Sequence, residues 1–270
     1  MCGIAGLVSL KSDLDIRRKI TDMISVISHR GPDGEGVYSH QNVALGHRRL
    51  AIIDLTDDGA QPMSSLSGEL VLSFNGEIYN YLELRSELTA RGRHFRSKSD
   101  SEVLLQAYEE WGAECVEKFN GMWSFAIFDK RKNQIFCSRD RFGEKPFYFM
   151  QQSDGFYFGS EIRQLLPMRD SRSANRDVLN KFLLGVVGED IDSSFFQGID
   201  KLPAGHNLTY DISAHRVQIS RYFELAYDEE VANSGFDENL ERFYQLFENA
   251  VAIRMRSDTK VGTCLSGGLD

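Results

Sequence analysis

Met1-Cys2-Gly3-Ile4-Ala5-Gly6 opens the chain, and the reading of all that follows depends on it. Cys2 is small enough for trimming of the initiator methionine. The product then carries a thiol and a free α-amine on one residue. Unperturbed, the thiol titrates near ~8.5 and the amine near ~7.7–8.0. At neutral pH the amine is partly neutral and can take the thiol's proton, which is one way to activate a nucleophile. Many second-position cysteines are incidental, so the rest of the chain has to decide. Ile4 to Leu10 reads as a buried strand that starts almost at the terminus.

The 270 residues are 41% hydrophobic and 26% charged, a globular profile long enough for one large domain or two moderate ones. A net charge of −9 argues against nucleic acid or an anionic membrane as partner, since either calls for basic excess. No apolar run reaches membrane-spanning length. Ile4–Leu10 is too short for a signal peptide, and only uncharged Met-Cys-Gly precedes it. These features predict a cytoplasmic protein. Cysteines 2, 115, 137 and 264 match no zinc spacing, so no metal site is expected. Cys115 and Cys137 read as core residues.

Leu14 to Ser28 reads as an amphipathic helix with Ile16, Ile20, Met23, Ile24 and Ile27 on one face. His29-Arg30-Gly31-Pro32-Asp33-Gly34 ends it. Val43–Ile53 and Glu69–Phe74 have strand character, and the second runs straight into Asn75-Gly76-Glu77. Asn80 with Glu83, and Ser99 with Glu102, predict capping boxes on two helices. Four short strands are expected between Met122 and Ser160, helices at Glu161–Leu166 and Asp177–Leu184, and a hairpin from His206–Ile212 to Arg216–Ser220. The acidic stretch Glu224–Gly235 reads as linker. A helix from about Asp237 to Met255 follows, with Leu240, Phe243, Tyr244, Phe247 and Val251 on one face. The segment from Lys260 to Leu265 reads as a strand. It delivers Ser266-Gly267-Gly268-Leu269-Asp270, whose backbone N–H groups can form an anion nest. Stopping at the first turn of a βα unit suggests the front part of a longer protein.

Seven blocks occur in order. They are Met1–Gly6, His29-Arg30-Gly31-Pro32-Asp33, Arg49-Leu50-Ala51-Ile52-Ile53-Asp54, Phe74-Asn75-Gly76-Glu77-Ile78-Tyr79-Asn80, Ser99-Asp100-Ser101-Glu102, Arg139-Asp140-Arg141-Phe142-Gly143-Glu144-Lys145-Pro146 and Leu265–Asp270. The chain strongly resembles the glutamine-hydrolysing asparagine synthetase family. That family joins a class II glutamine amidotransferase domain to an ATP-dependent synthetase domain. The resemblance implies an α+β fold, a four-layer αββα N-terminal-nucleophile sandwich. The expected division is a glutaminase domain over 2–212, a linker over 213–236 and the start of a synthetase domain over 237–270.

Under the resemblance, Cys2 is the nucleophile, and Asn75 and Gly76 form the oxyanion hole. Asn-Gly after a strand is also the commonest turn sequence. Arg49 would pair with the glutamine α-carboxylate, because a guanidinium matches a carboxylate in a bidentate fork. Arg48 competes for that role, and strand alternation lets only one of the two face the site. Leu50, Ile52 and Ile53 would neighbour the substrate. Glu77 and Asp100 would hold its α-ammonium. His29–Asp33 would shape the site mouth or the route for ammonia. A Cys–His dyad with His29 or His47 is disfavoured, since an N-terminal amine makes it unnecessary. Arg139–Pro146 reads as a structural turn.

Leu265, Ser266, Gly267, Gly268 and Asp270 resemble a pyrophosphate-binding loop for ATP. ATP and Mg2+ would serve the full-length enzyme, and the glutaminase half would need no cofactor. Aspartate is the implied acceptor, made an acyl-adenylate, and a homodimer the implied assembly. The alternatives are another acceptor carboxylate (sugar acid, peptide or natural product) or a non-catalytic glutamine-binding regulatory domain.

Overall fold

The computed structural model describes residues 1–11, 15–169, 171–186 and 193–262. Two six-stranded, wholly antiparallel sheets lie face to face between helices. In chain order the strands are β1 (Gly3–Ser9), β2 (Gly34–His40), β3 (Val43–Arg49), β4 (Met63–Ser64), β5 (Leu70–Ile78), β6 (Gly121–Asp129), β7 (Gln134–Arg139), β8 (Tyr148–Gln152), β9 (Gly155–Gly159), β10 (Asp200–Lys201), β11 (His206–Asp211) and β12 (Arg216–Arg221). One sheet runs β10-β8-β9-β1-β3-β2 and the other β12-β11-β7-β6-β5-β4. The described helices are α1 (Ile16–Ser25), α2 (Tyr81–Ala90), α3 (Asp100–Trp111), α4 (Cys115–Lys118), α5 (Ile162–Leu165), α6 (Arg176–Leu183), α7 (Glu229–Asn233) and α8 (Phe236–Arg254).

Period-two alternation assigns the layers. Along β1, Ile4 and Val8 face the second sheet, while Ala5 and Leu7 pack under α1 with Ile16, Ile20, Met23 and Ile24. Along β5, Leu70, Leu72 and Phe74 pack under α2, α3 and α4, while Val71 joins the core between the sheets. The result is helix, sheet, sheet, helix. Cys115 and Cys137 are fully buried in these cores.

Several local expectations are corrected. Gly34–His40 is a strand that the glycine-rich pattern concealed, an edge strand with no buried residue. The helix expected from Leu14 is described from Ile16; it ends at Ser25, and a single 3-10 turn follows at Ser28–Arg30. The strand expected to end at Phe74 runs on through Asn75 and Gly76 to Ile78, with those two paired with Ser124 and Trp123 of β6.

The Asn80/Glu83 capping box is absent. The Asn80 amide instead donates to Lys118 O and accepts from Asn120 N–H, both at 2.9 Å. Ser99 does cap α3, accepting the Ser101 N–H at 3.1 Å. Glu102 closes no box there. Its carboxylate takes the N–H groups of Arg96 and Ser97. Within the expected linker, Asp228 caps the short helix α7. Lys260–Gly262 carries no strand, and Leu265, Ser266, Gly267, Gly268 and Asp270 lie outside the described residues. No helix among the described residues is long and apolar enough to cross a membrane.

Candidate active site

Cys2 stands one residue before β1 and shares the parity of Ile4, so it faces the space between the sheets. Asn75 has the parity of Val71 and looks into the same space from the second sheet. A cavity of about 120 Å³ opens there. It is lined by Cys2, Arg49, Leu50, Ile52, Ile53, Asn75, Gly76, Glu77 and Asp100, every residue expected of the nucleophile, oxyanion and glutamine sites.

The Cys2 thiol accepts the Leu50 N–H at 3.3 Å and lies 3.5 Å from Leu50 O. Burial pushes the thiol above its ordinary range, and the Leu50 hydrogen bond offsets this in part. At neutral pH such a thiol is protonated, so it needs a base. Neither histidine supplies one. His47 is fully buried and donates from Nε2 to Phe74 O at 2.9 Å; burial lowers its pKa to about 4. His29 pairs with Glu161 at 2.9 Å, and neither ring lines the cavity. Met1 precedes Cys2 and lines the cavity too. With Met1 attached, the Cys2 nitrogen is an amide. Arg30, in the loop that the sequence placed at the site mouth, donates from Nε to Cys2 O at 2.8 Å and fixes the Cys2 main chain.

Asn75 is 1% exposed, and among the described residues its Nδ2 has no hydrogen-bond partner. A buried amide donor left unpaired is costly. Here it borders the cavity that holds the Cys2 sulfur, so an oxygen bound there would satisfy it. Gly76 is required by the strand pairing, because a Cβ would overlap Met122 O and crowd Trp123 Cα.

Strand alternation separates the two arginines. Arg48 turns out to α1, donating to Ile24 O at 3.0 Å and pairing with Glu35. Arg49 turns into the cavity. Its guanidinium donates to Asp54 O and, at 2.7 Å, to Thr56 O. A Cβ on Gly59 would occupy the guanidinium's place.

Two carboxyls line the cavity with Arg49. Asp100 sits in the first turn of α3 and accepts the Ile78 N–H at 3.0 Å. Burial raises its pKa to about 7 against that hydrogen bond, and the Glu77 charge adds to the rise. Burial also raises Glu77, which Lys145 opposes. Two carboxyls held up in this way become favourable ions once a cation joins them.

Sequence reasoning missed further lining residues, including Gln61, Ser101, Met122 and Lys145. Gln61 braces β5, accepting the Phe74 N–H at 2.6 Å and donating to Ser101 Oγ at 3.0 Å. The Arg139–Pro146 turn is structural as read: Asp140 accepts the N–H groups of Trp123, Phe142, Glu144 and Lys145. The same turn also delivers Lys145, 5% exposed, to the cavity wall. Nothing local signals that second role.

A profile of the glutamine amidotransferase domain matches residues 1–223. The chain belongs to the glutamine amidotransferase family. Residues 242–270 of this amidotransferase match a second profile, that of asparagine synthase. It is 37% identical to a putative glutamine-hydrolysing asparagine synthetase of Methanocaldococcus jannaschii, with all of the chain and 55% of that protein aligned. It is 38% identical to asparagine synthetase 3 of Bacillus subtilis and 33% identical to asparagine synthetase B of Escherichia coli, covering 44% and 43% of them. The chain therefore spans about half the length of the relatives it matches. The fold is similar to that of the Bacillus subtilis glutamine phosphoribosylpyrophosphate amidotransferase, with a TM-score of 0.62 at 17% identity over 83% of this chain and 50% of that one. The resemblance read from the order of the motifs and the N-terminal-nucleophile fold expected from it are both borne out.

Proposed function

We propose that Cys2 of this glutamine amidotransferase, freed of Met1, hydrolyses glutamine to glutamate and ammonia. The observation that carries this is the buried Asn75 Nδ2, unpaired among the described residues, on the cavity that Cys2 also lines. The thiol proton passes to the Cys2 α-amine as sulfur attacks the side-chain amide carbon. The resulting oxyanion is met by Asn75 Nδ2 and the Gly76 N–H. Each such donor is worth on the order of 3–4 kcal/mol of barrier. The C–N bond then breaks, the amine returns the proton to departing ammonia, and a γ-glutamyl thioester remains. Water adds to it, again with the amine as base, and glutamate leaves. Arg49 clamps the α-carboxylate, while Glu77 and Asp100 hold the α-ammonium. Leu50, Ile52 and Ile53 wall the substrate.

The ammonia serves an ATP- and Mg2+-dependent amidation in the full-length enzyme, with aspartate as acceptor. The asparagine synthase match over 242–270 and the relatives' names support this. Leu265, Ser266, Gly267, Gly268 and Asp270 would hold the nucleotide. The assembly proposed is a cytoplasmic homodimer that binds neither nucleic acid nor membrane, in keeping with the net charge of −9.

Intact-mass analysis after incubation with a diazo-ketone analogue of glutamine tests the reading. Loss of Met1 and one adduct at Cys2, absent in Cys2→Ala, is expected. An unmodified Cys2 in a chain lacking Met1 would overturn it.

A further inference from the structure

The cavity's Arg49 wall is held from a distant part of the chain. Asp54 has φ +54°, a left-handed backbone that a non-glycine residue keeps only when its surroundings demand it. Its carboxylate accepts Thr56 N–H, Thr56 Oγ1–H and Lys98 N–H. Its own N–H donates to Asp258 Oδ2 at 2.7 Å. These bonds aim the Asp54 carbonyl, which receives the Arg49 guanidinium.

Asp258 makes a second bond, donating its backbone N–H to Ile52 O at 3.0 Å. Main chain and side chain of one residue thus bracket Ile52-Ile53-Asp54, and both isoleucines line the cavity. Two residues earlier, Arg256 holds the chain just past β5. It donates to Tyr79 O at 2.7 Å, just past the Asn75-Gly76-Glu77 run, and forks onto Glu83 at 2.6 and 2.5 Å. The strap follows α8 and lies within the asparagine synthase match.

We propose that Arg256–Asp258 is a positioning strap by which the C-terminal segment sets the glutamine pocket, with Asp258 acting on Arg49 through Asp54. This rests on the glutaminase reading and adds to it a residue that touches no substrate. The strap makes pocket geometry depend on where the segment beyond α8 is held.

The test compares Asp258→Ala with Asp258→Asn in this chain. Loss of one hydrogen bond's net worth predicts that Asp258→Ala raises the glutamine KM roughly three- to tenfold, with kcat within about twofold. Asp258→Asn retains an oxygen for the Asp54 N–H and should return KM to within about twofold of the parent. Hydrogen exchange of the peptide spanning 52–56 should quicken in Asp258→Ala while that of 70–78 does not. An unchanged KM, an Asn variant as impaired as Ala, or unchanged exchange would each overturn the strap. A parent chain unable to hydrolyse glutamine would instead overturn the glutaminase reading, and the exchange comparison would still judge the strap.

Discussion

Replacing Asp100 by asparagine should stabilise the protein at alkaline pH while weakening its grip on glutamine. Asp100 is 5% exposed, and burial places its pKa near 7 against an ordinary 3.8. The folded state thus holds a proton between about pH 4 and pH 7 that the unfolded state has given up. Stability from this group is fully present below the unfolded pKa and is lost as pH rises through the folded one. At ~1.4 kcal/mol per tenfold, the whole span is worth about 4 kcal/mol, of which roughly 2–3 falls between pH 5 and 8. An amide carries no charge at either pH, and its oxygen can still accept the Ile78 N–H. Urea unfolding at both pH values, followed by fluorescence of the buried Trp123, gives the stability difference between parent and variant. That difference should move in favour of Asp100→Asn by roughly 2–3 kcal/mol on going from pH 5 to 8. The glutamine KM should rise roughly 10- to 100-fold, since a hydrogen bond to a charged partner is worth about 1.5–3 kcal/mol. A variant destabilised equally at both pH values would refute the claim that burial holds the Asp100 carboxyl protonated up to about pH 7.

Asn75→Ala should lower kcat by about 10²–10³ and alter KM far less, as loss of an oxyanion donor requires; a rise in KM with kcat unchanged would make Asn75 a ground-state binder. Arg49→Lys should raise the glutamine KM by roughly 10- to 100-fold, because an ammonium cannot span Asp54 O and Thr56 O while offering a bidentate fork; a KM within twofold of the parent would remove Arg49 from the carboxylate site. Gly76→Ala should cost about 1–3 kcal/mol in urea unfolding, because its Cβ would force β5 from β6; parental stability would show that the strands part freely there. An extension left ahead of Cys2 should abolish glutaminase activity, measured as ammonia release, since it turns the proposed base into an amide; a fully active extended protein would refute the amine-as-base step.

Much of the site was legible because its signals are local. A cysteine beside the terminus, alternation along β1, β3 and β5, and the Ser99 cap on α3 each depend on residues a few positions apart. The choice of Arg49 over Arg48 could be framed from alternation, and the structure shows Arg49 as the one on the inward parity. The misreadings arose where a side chain finds a remote partner. Asn80 and Glu83 have the spacing of a capping box, yet Lys118, Asn120 and Arg256 claim them. The strand read as ending at Phe74 continues to Ile78, because cross-strand pairing with β6 keeps Asn75-Gly76 extended.

By itself, the order of the motifs determined the family, and hydrophobic periodicity determined most elements and their inward faces, since both are written in near neighbours. Only the tertiary structure decided that Cys2 and Asn75 line one cavity between two sheets, that Lys145 reaches it and that Asp258 braces Asp54. Those contacts join residues far apart in the chain, and their geometry exists only once the sheets have packed and burial has removed water.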